Sequence, residues 1–177
     1  MKGRTIFTIA VVCFFAVGCK SITAKKYNDM IVGKQKSLTA AINENEPKLK
    51  NYFANYEYDS IASISSRMVT TIDSMIQDIK KKPAPKVTQG ENFKKAALSY
   101  FDYMKILYTA YKNYGSQTSP EGRIVGREVI ARVTTEEDLM IAQLREAQRI
   151  FAKDNGFKIK PAKEKQTGSF TANPPNK

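Results

Sequence analysis

Histidine and tryptophan are both absent from this 177-residue chain, and cysteine occurs only twice. Without an imidazole, the Ser-His-Asp triad, the Cys-His dyad, haem on a proximal histidine and the His-containing zinc and di-iron sites are excluded. Two cysteines are too few for a four-cysteine zinc site or a disulfide framework. We therefore expect no enzyme activity, no cofactor and no metal site.

Alternation of apolar and polar residues with period two is also missing, so the sequence predicts no β-sheet. It contains no phosphate loop, dinucleotide fingerprint or nucleophile elbow. Lysine and arginine number 29 against 17 acidic residues, which gives a formal net charge of +12. Clustered basic residues attract phosphate, but here they concentrate in a loop and a tail outside any nucleic-acid module, so no nucleic-acid partner is expected.

The N-terminus has the pattern of an export signal. Lys2 and Arg4 precede an apolar and small-residue run over residues 6–18, which is too short to span a bilayer comfortably. Cys19 follows directly after Gly18. This pattern alone fits an ordinary secretory signal, or an N-terminal anchor helix, in which the position of the cysteine is a coincidence.

Residues 16–19 resemble the lipobox of bacterial lipoproteins, although Ala16 stands where that family usually has leucine. The resemblance implies that residues 1–18 are a cleaved signal peptide and that Cys19 carries the lipid as the first mature residue. Several acyl chains give stable membrane attachment. An aspartate directly after the lipidated cysteine resembles an inner-membrane retention signal. Lys20 stands there instead, so the expected location is the outer membrane or cell surface of a bacterial envelope.

Four apolar stripes at helical spacing follow the first 25 residues. The first keeps its phase across Pro47, which favours one kinked helix up to Tyr56. The third has heptad spacing, and the fourth begins at Ser119 and Pro120 with a possible break near Thr134. The expected cap residues are Asp59 for the second helix, Gly115 for the third, and Gly156 with Phe157 packed back for the fourth. The stripes are Tyr27, Ile31, Leu38, Ile42, Leu49 and Phe53; Ile61, Ile64, Met68, Ile72, Met75 and Ile79; Phe93, Ala97, Tyr100, Met104, Leu107, Tyr111 and Tyr114; and Ile130, Val133, Glu137, Met140, Leu144, Ala147 and Phe151.

These stripes predict an all-α protein, specifically an up-down-up-down antiparallel four-helix bundle over residues 26–157. A lipidated, disordered tether over residues 19–25 precedes it, and a disordered basic tail over residues 158–177 follows. In this topology the second loop and the tail lie at the membrane-proximal end. Lysines there are expected to contact anionic headgroups, although a solvated basic surface is the plain alternative. These lysines are Lys80, Lys81, Lys82, Lys86, Lys158 and Lys160.

The aromatic residues allow two interpretations, a stacking surface for a ligand or ordinary core packing. Stripe positions favour the core, whereas Tyr56, Tyr58 and Tyr114 lie near the membrane-distal loops and are candidates for contact with a protein partner. Glu137 occupies a stripe position. We interpret it as marking a helix break or pairing with a lysine rather than as an acid–base or metal group.

Beyond the signal, the layout resembles small bacterial surface lipoproteins that are helical bundles of unknown function. The residues that carry this resemblance are 27–35, 93–96 and 148–152. The resemblance implies location and architecture but no catalytic residue. The sequence therefore predicts a lipid-anchored envelope protein with a non-catalytic structural or interaction role. The alternative is a lipoprotein that holds a lipid or aromatic ligand between its helices.

Overall fold

The computed structural model describes the backbone of residues 15–159 and the side chains of residues 23–159. All regular secondary structure in that range is helical, which confirms the predicted all-α class. The rest of the predicted signal peptide and the tail from residue 160 onward lie outside the described residues. The helices are α1 (Phe15–Ala54), α2 (Tyr58–Lys81), α3 (Gly90–Gly115), α4 (Pro120–Thr134) and α5 (Glu137–Asp154).

Helix α1 is continuous through Pro47, as the phase of its stripe predicts. Proline removes one backbone donor and crowds the preceding turn. Here Pro47 is exposed, whereas Leu38 before it and Leu49 and Phe53 beyond it are buried, so packing holds the helix on both sides of the interruption. The disordered tether predicted for residues 19–25 is wrong, because α1 includes them. That segment contains no glycine or proline to stop a helix, and Ala24 is fully buried.

Helix α3 is the most deeply packed element. Every residue of its predicted stripe is buried, and so are Phe101, Tyr103 and Tyr108 outside that stripe. A second buried face is expected for a helix that contacts α2 on one side and α4 and α5 on the other. Helix α2 buries its predicted stripe as well, except that Met75 is partly exposed and the neighbouring Ile76 is buried.

The break predicted near Thr134 separates α4 from α5. The hydroxyls of Thr134 and Thr135 donate to backbone carbonyls of α4, and two residues in a turn precede Glu137. The other end of α4 follows the sequence pattern, because the Ser119 side chain accepts a hydrogen bond from the Gly122 N–H at 3.0 Å.

The end of α5 is also as predicted. Gly156 has φ +70°, and the Phe157 N–H donates to the Ala152 carbonyl at 3.1 Å, which is the hydrogen bond of a Schellman cap. At the start of α2, however, the predicted cap Asp59 lies in the first turn. The capping position belongs to Glu57, whose side chain makes no capping hydrogen bond.

Polar contacts between helices are compatible with an up-and-down order. Lys34 of α1 donates to Asp78 near the end of α2 at 2.8 Å. Asn45, which lies later in α1, contacts Met68, which lies earlier in α2, so these two helices run in opposite directions. Gly115, the last residue of α3, lies against the first turn of α2.

The two helical glycines Gly115 and Gly33 give a matched test of this packing. A Cβ at Gly115 would lie 2.5 Å from the Ala62 nitrogen and 2.6 Å from the Tyr58 oxygen, whereas a Cβ at Gly33 would meet nothing within 4 Å. We predict that Gly115→Ala lowers the free energy of unfolding by about 1–3 kcal/mol through overpacking. Gly33→Ala should raise it by about 0.5–1 kcal/mol. Urea unfolding monitored by circular dichroism measures both, and equal effects would contradict the close approach of α2 and α3.

Candidate functional site: a basic end and an aromatic cleft

One end of the protein brings together the part of α1 around Tyr27, the loop between α2 and α3, and the end of α5. The Tyr27 and Phe93 rings lie 6.2 Å apart, and Phe93 stacks on Phe151 at 4.9 Å. The Asn155 side-chain amide donates to the Thr88 carbonyl at 2.8 Å. Aromatic packing and this hydrogen bond therefore hold three separate chain segments at one end, which we call the basic end.

The Lys94 ammonium closes α2 at this end. It donates to the backbone carbonyls of Lys80 and Lys82 at 3.3 and 2.7 Å. Carbonyls at a helix C-terminus lack partners within the helix and carry partial negative charge, so a cation stabilises them. Lys80 and Lys82 are themselves exposed, so both lysines lie at the surface of this end.

The structure brings together the described lysines that the sequence predicts as membrane contacts. Lys160 alone of that set lies outside the described residues. Sequence reasoning missed further lysines from α1, α3 and α5, because only the packing of the three segments shows that they share an end. The exposed lysines of the basic end are Lys25, Lys26, Lys80, Lys81, Lys82, Lys86, Lys95, Lys153 and Lys158.

Fewer carboxylates lie in this region, and two of them are paired. Lys25 bonds Asp29 at 2.6 Å and Lys34 bonds Asp78 at 2.8 Å. These hydrogen bonds lower the pKa of both carboxyls. Asp29 and Asp78 are exposed, so such pairs contribute little to stability, and the lysines in excess of them give the end its positive field.

Cys19 lies in α1, eight residues before Tyr27, and its side chain is outside the described part. At about 1.5 Å per residue, its backbone is roughly 12 Å along the axis from Tyr27, on the side of the basic end. Within residues 15–159, no helix combines the length and apolar composition needed to cross a bilayer.

The opposite end carries the three tyrosines predicted to contact a partner. Tyr58 lies 5.8 Å from Tyr114 and 6.4 Å from Tyr56, measured between ring centroids. Tyr114 is buried and stacks on Phe53 at 5.1 Å, so its contact with Tyr58 connects that ring to the core. Tyr56 is 48% exposed and Tyr58 is half-buried, which leaves these two available for contact.

A cleft of about 550 Å³ opens between the start of α2 and the loop that joins α3 to α4. We call it the distal cleft. Sequence reasoning missed Arg123, whose guanidinium carbon lies 3.8 Å from the centroid of the Tyr58 ring. Its Nε also donates to the Gln117 carbonyl at 3.1 Å, so the guanidinium is fixed in place. The lining residues are Tyr56, Glu57, Tyr58, Asp59, Ser60, Gly115, Ser116, Gln117, Thr118 and Arg123.

Glu137 lies midway between the two ends, at the start of α5. Burial raises the pKa of its carboxyl, and the charges of Asp138 and Glu46 add to the effect. Burial is also the main cause that raises the pKa of Tyr100 to about 12. Glu46 is already paired with Lys50 at 2.8 Å. Among the contacts described for Glu137, none is the predicted ion pair with a lysine. Glu137 is the first residue of α5, so it does mark the helix break.

Within the described part of the chain, no group of three or more carboxylate, histidine or cysteine side chains is placed to hold a metal ion. No protein-family model matches the sequence, and no curated protein or solved structure matches it either.

Glu137 makes the stability of the protein depend on pH. Because its pKa is raised in the folded state, the stability it contributes is full below the unfolded pKa and is lost as the pH rises through the folded pKa. We predict that the stability advantage of Glu137→Gln over the wild type begins to grow above about pH 4, near the ordinary pKa of a glutamate, and levels off once the pH passes the raised pKa. Urea unfolding across that range measures the difference. Glu128→Gln, at an exposed position of α4 whose charge is not among those that raise the pKa of Glu137, is the control, and an equal pH trend in both variants would contradict the assignment.

Proposed function

We propose that this protein is a lipid-anchored component of a bacterial cell envelope, attached through Cys19 and held with its basic end on the membrane. Its role is structural or interactive rather than catalytic. The helices form an up-down-up-down bundle, in which α4 and α5 together make the fourth leg. The outer membrane or cell surface is the proposed location.

One observation carries this proposal: the lysine-rich end is also the end of the bundle from which α1 extends to Cys19. Tyr27 of α1 packs on Phe93, next to the junction between α2 and the loop that follows it, where Lys80, Lys81 and Lys82 are exposed. A basic surface close to an anchor gains attraction to anionic headgroups within about 8–10 Å, the Debye length in physiological salt. Lipid and lysines then act on the same membrane face, as paired membrane signals do.

The filled interior supports a scaffold over the alternative of a ligand held between the helices. Phe93, Phe151, Phe53 and Tyr114 pack in stacked pairs with centroids 4.9 and 5.1 Å apart. The two described grooves, of about 550 and 510 Å³, open at the surface rather than within the bundle. An apolar ligand between the helices would have to displace these rings.

Lipidation is tested at Cys19. Cells that express the full chain are labelled with radioactive palmitate, and the wild type should incorporate label, whereas Cys19→Ser should not. Cys13→Ser is the control, since under this proposal Cys13 is removed with the signal peptide. Label that persists in Cys19→Ser would refute the anchor.

Orientation is tested by the lysines at the end of α2 and in the loop that follows it. Replacing Lys80, Lys81, Lys82 and Lys86 by glutamine should weaken binding of the unlipidated chain to anionic vesicles at low salt by about 100-fold or more, at about 1 kcal/mol per lysine. The control removes four exposed cations elsewhere and changes the net charge equally. These are Lys48, Arg67, Lys112 and Arg132.

Equal weakening in both variants would mean that net charge alone drives adsorption. The basic end would then have no specific role, and the proposed orientation would be wrong.

A further inference from the structure

Tyr56 occupies a backbone position that favours glycine. Its φ is +58°, and it follows α1 as the cap residue of a Schellman motif. The Glu57 N–H donates to the Tyr52 carbonyl at 2.9 Å, and the Tyr56 N–H donates to the Phe53 carbonyl at 3.3 Å. Glycine or asparagine usually fills this position, because a Cβ is disfavoured in the left-handed region.

Packing does not compensate for this strain. Tyr56 is 48% exposed, and its ring contact with Tyr58 is a tilted one at 6.4 Å. Residues kept in strained conformations concentrate at binding sites, where the strain positions a side chain. Here the cap holds an aromatic ring at the mouth of the distal cleft.

The lining of the distal cleft defines the chemistry of its ligand. Two tyrosine rings stand among carboxylates, hydroxyls, an amide and a guanidinium, and the lining contains no aliphatic side chain. Sites for lipids and drug-like molecules are lined mainly by apolar side chains, so this composition disfavours them. It favours a ligand with many hydroxyl groups and one apolar face.

The charged side chains of the distal cleft also restrict the net charge of its ligand. Glu57 and Asp59 repel an anion, whereas Arg123 and the positive net charge of the chain disfavour a cation. Arg123 is also engaged, because it lies on the Tyr58 ring and bonds the Gln117 carbonyl. A neutral ligand is repelled neither by the carboxylates nor by the guanidinium of the cleft.

We propose that the distal cleft binds a neutral saccharide. The Tyr56 ring stacks on the C–H face of a sugar ring, since the negative face of an aromatic ring attracts positively polarised hydrogens. The carboxylates of Glu57 and Asp59 accept hydrogen bonds from sugar hydroxyls, and the Gln117 amide donates and accepts. This site does not depend on the anchor or on the basic end.

Saccharide binding is measured by saturation-transfer NMR and calorimetry on the purified full-length chain. The probes are cellotetraose, maltotetraose and the tetramer of N-acetylglucosamine. At least one should bind with a dissociation constant in the millimolar range or tighter. Tyr56→Gly should weaken that binding about tenfold or more, a loss that corresponds to one aromatic stacking contact.

The matched control is Gln89→Gly. Gln89 has φ +63° and precedes α3 at the opposite end of the molecule. Both substitutions relieve a left-handed residue, so both should raise the midpoint of thermal unfolding. Only Tyr56→Gly should reduce saccharide binding.

Three results would overturn the proposal. They are no binding of any probe by the wild type, equal binding by wild type and Tyr56→Gly, and a loss as large in Gln89→Gly. Binding of inorganic phosphate or of an acidic peptide in place of all three sugars would overturn it as well, because the cleft would then recognise charge.

Discussion

Buried aromatic rings near the two ends of α3 connect the core of this protein to the basic end on one side and to the distal cleft on the other. Near the start of α3, Phe93 contacts Tyr27 of α1 and Phe151 of α5. Near its end, Tyr114 contacts Phe53 of α1 and Tyr58 of α2. Aromatic pairs of this kind add to the free energy of burial and also fix relative orientation. The lysine-rich end and the distal cleft are thus positioned by one helix, at opposite limits of the same seam.

The sequence predicted the elements whose signal is local and periodic. The seven stripe residues of α3 are all buried, and α4 begins at the cap formed by Ser119 and Pro120. The turn after α5 has the predicted glycine and the packed Phe157. These features depend on residues within a few turns of one another, so composition and spacing are sufficient to predict them.

Features that depend on contacts between distant segments were not predicted. Gly115 was expected as a helix cap, but its lack of a side chain is also what allows α2 to pack closely against it. The residue spacing within α3 contains no sign of this contact. Arg123 has no local signal that directs it onto Tyr58. The left-handed Tyr56 contradicts residue preference, and such departures from local rules are expected at functional positions.

The clearest test of the account is the distance of each end from the bilayer. Spin labels at Thr88→Cys and Thr118→Cys, both exposed and at opposite ends, would be compared by power-saturation EPR on the lipidated protein in anionic vesicles. Because α3 runs 26 residues between them, a label at residue 88 is expected close to the headgroups and a label at residue 118 roughly 39 Å farther out. Equal depths, or the residue-118 label nearer the bilayer, would contradict it.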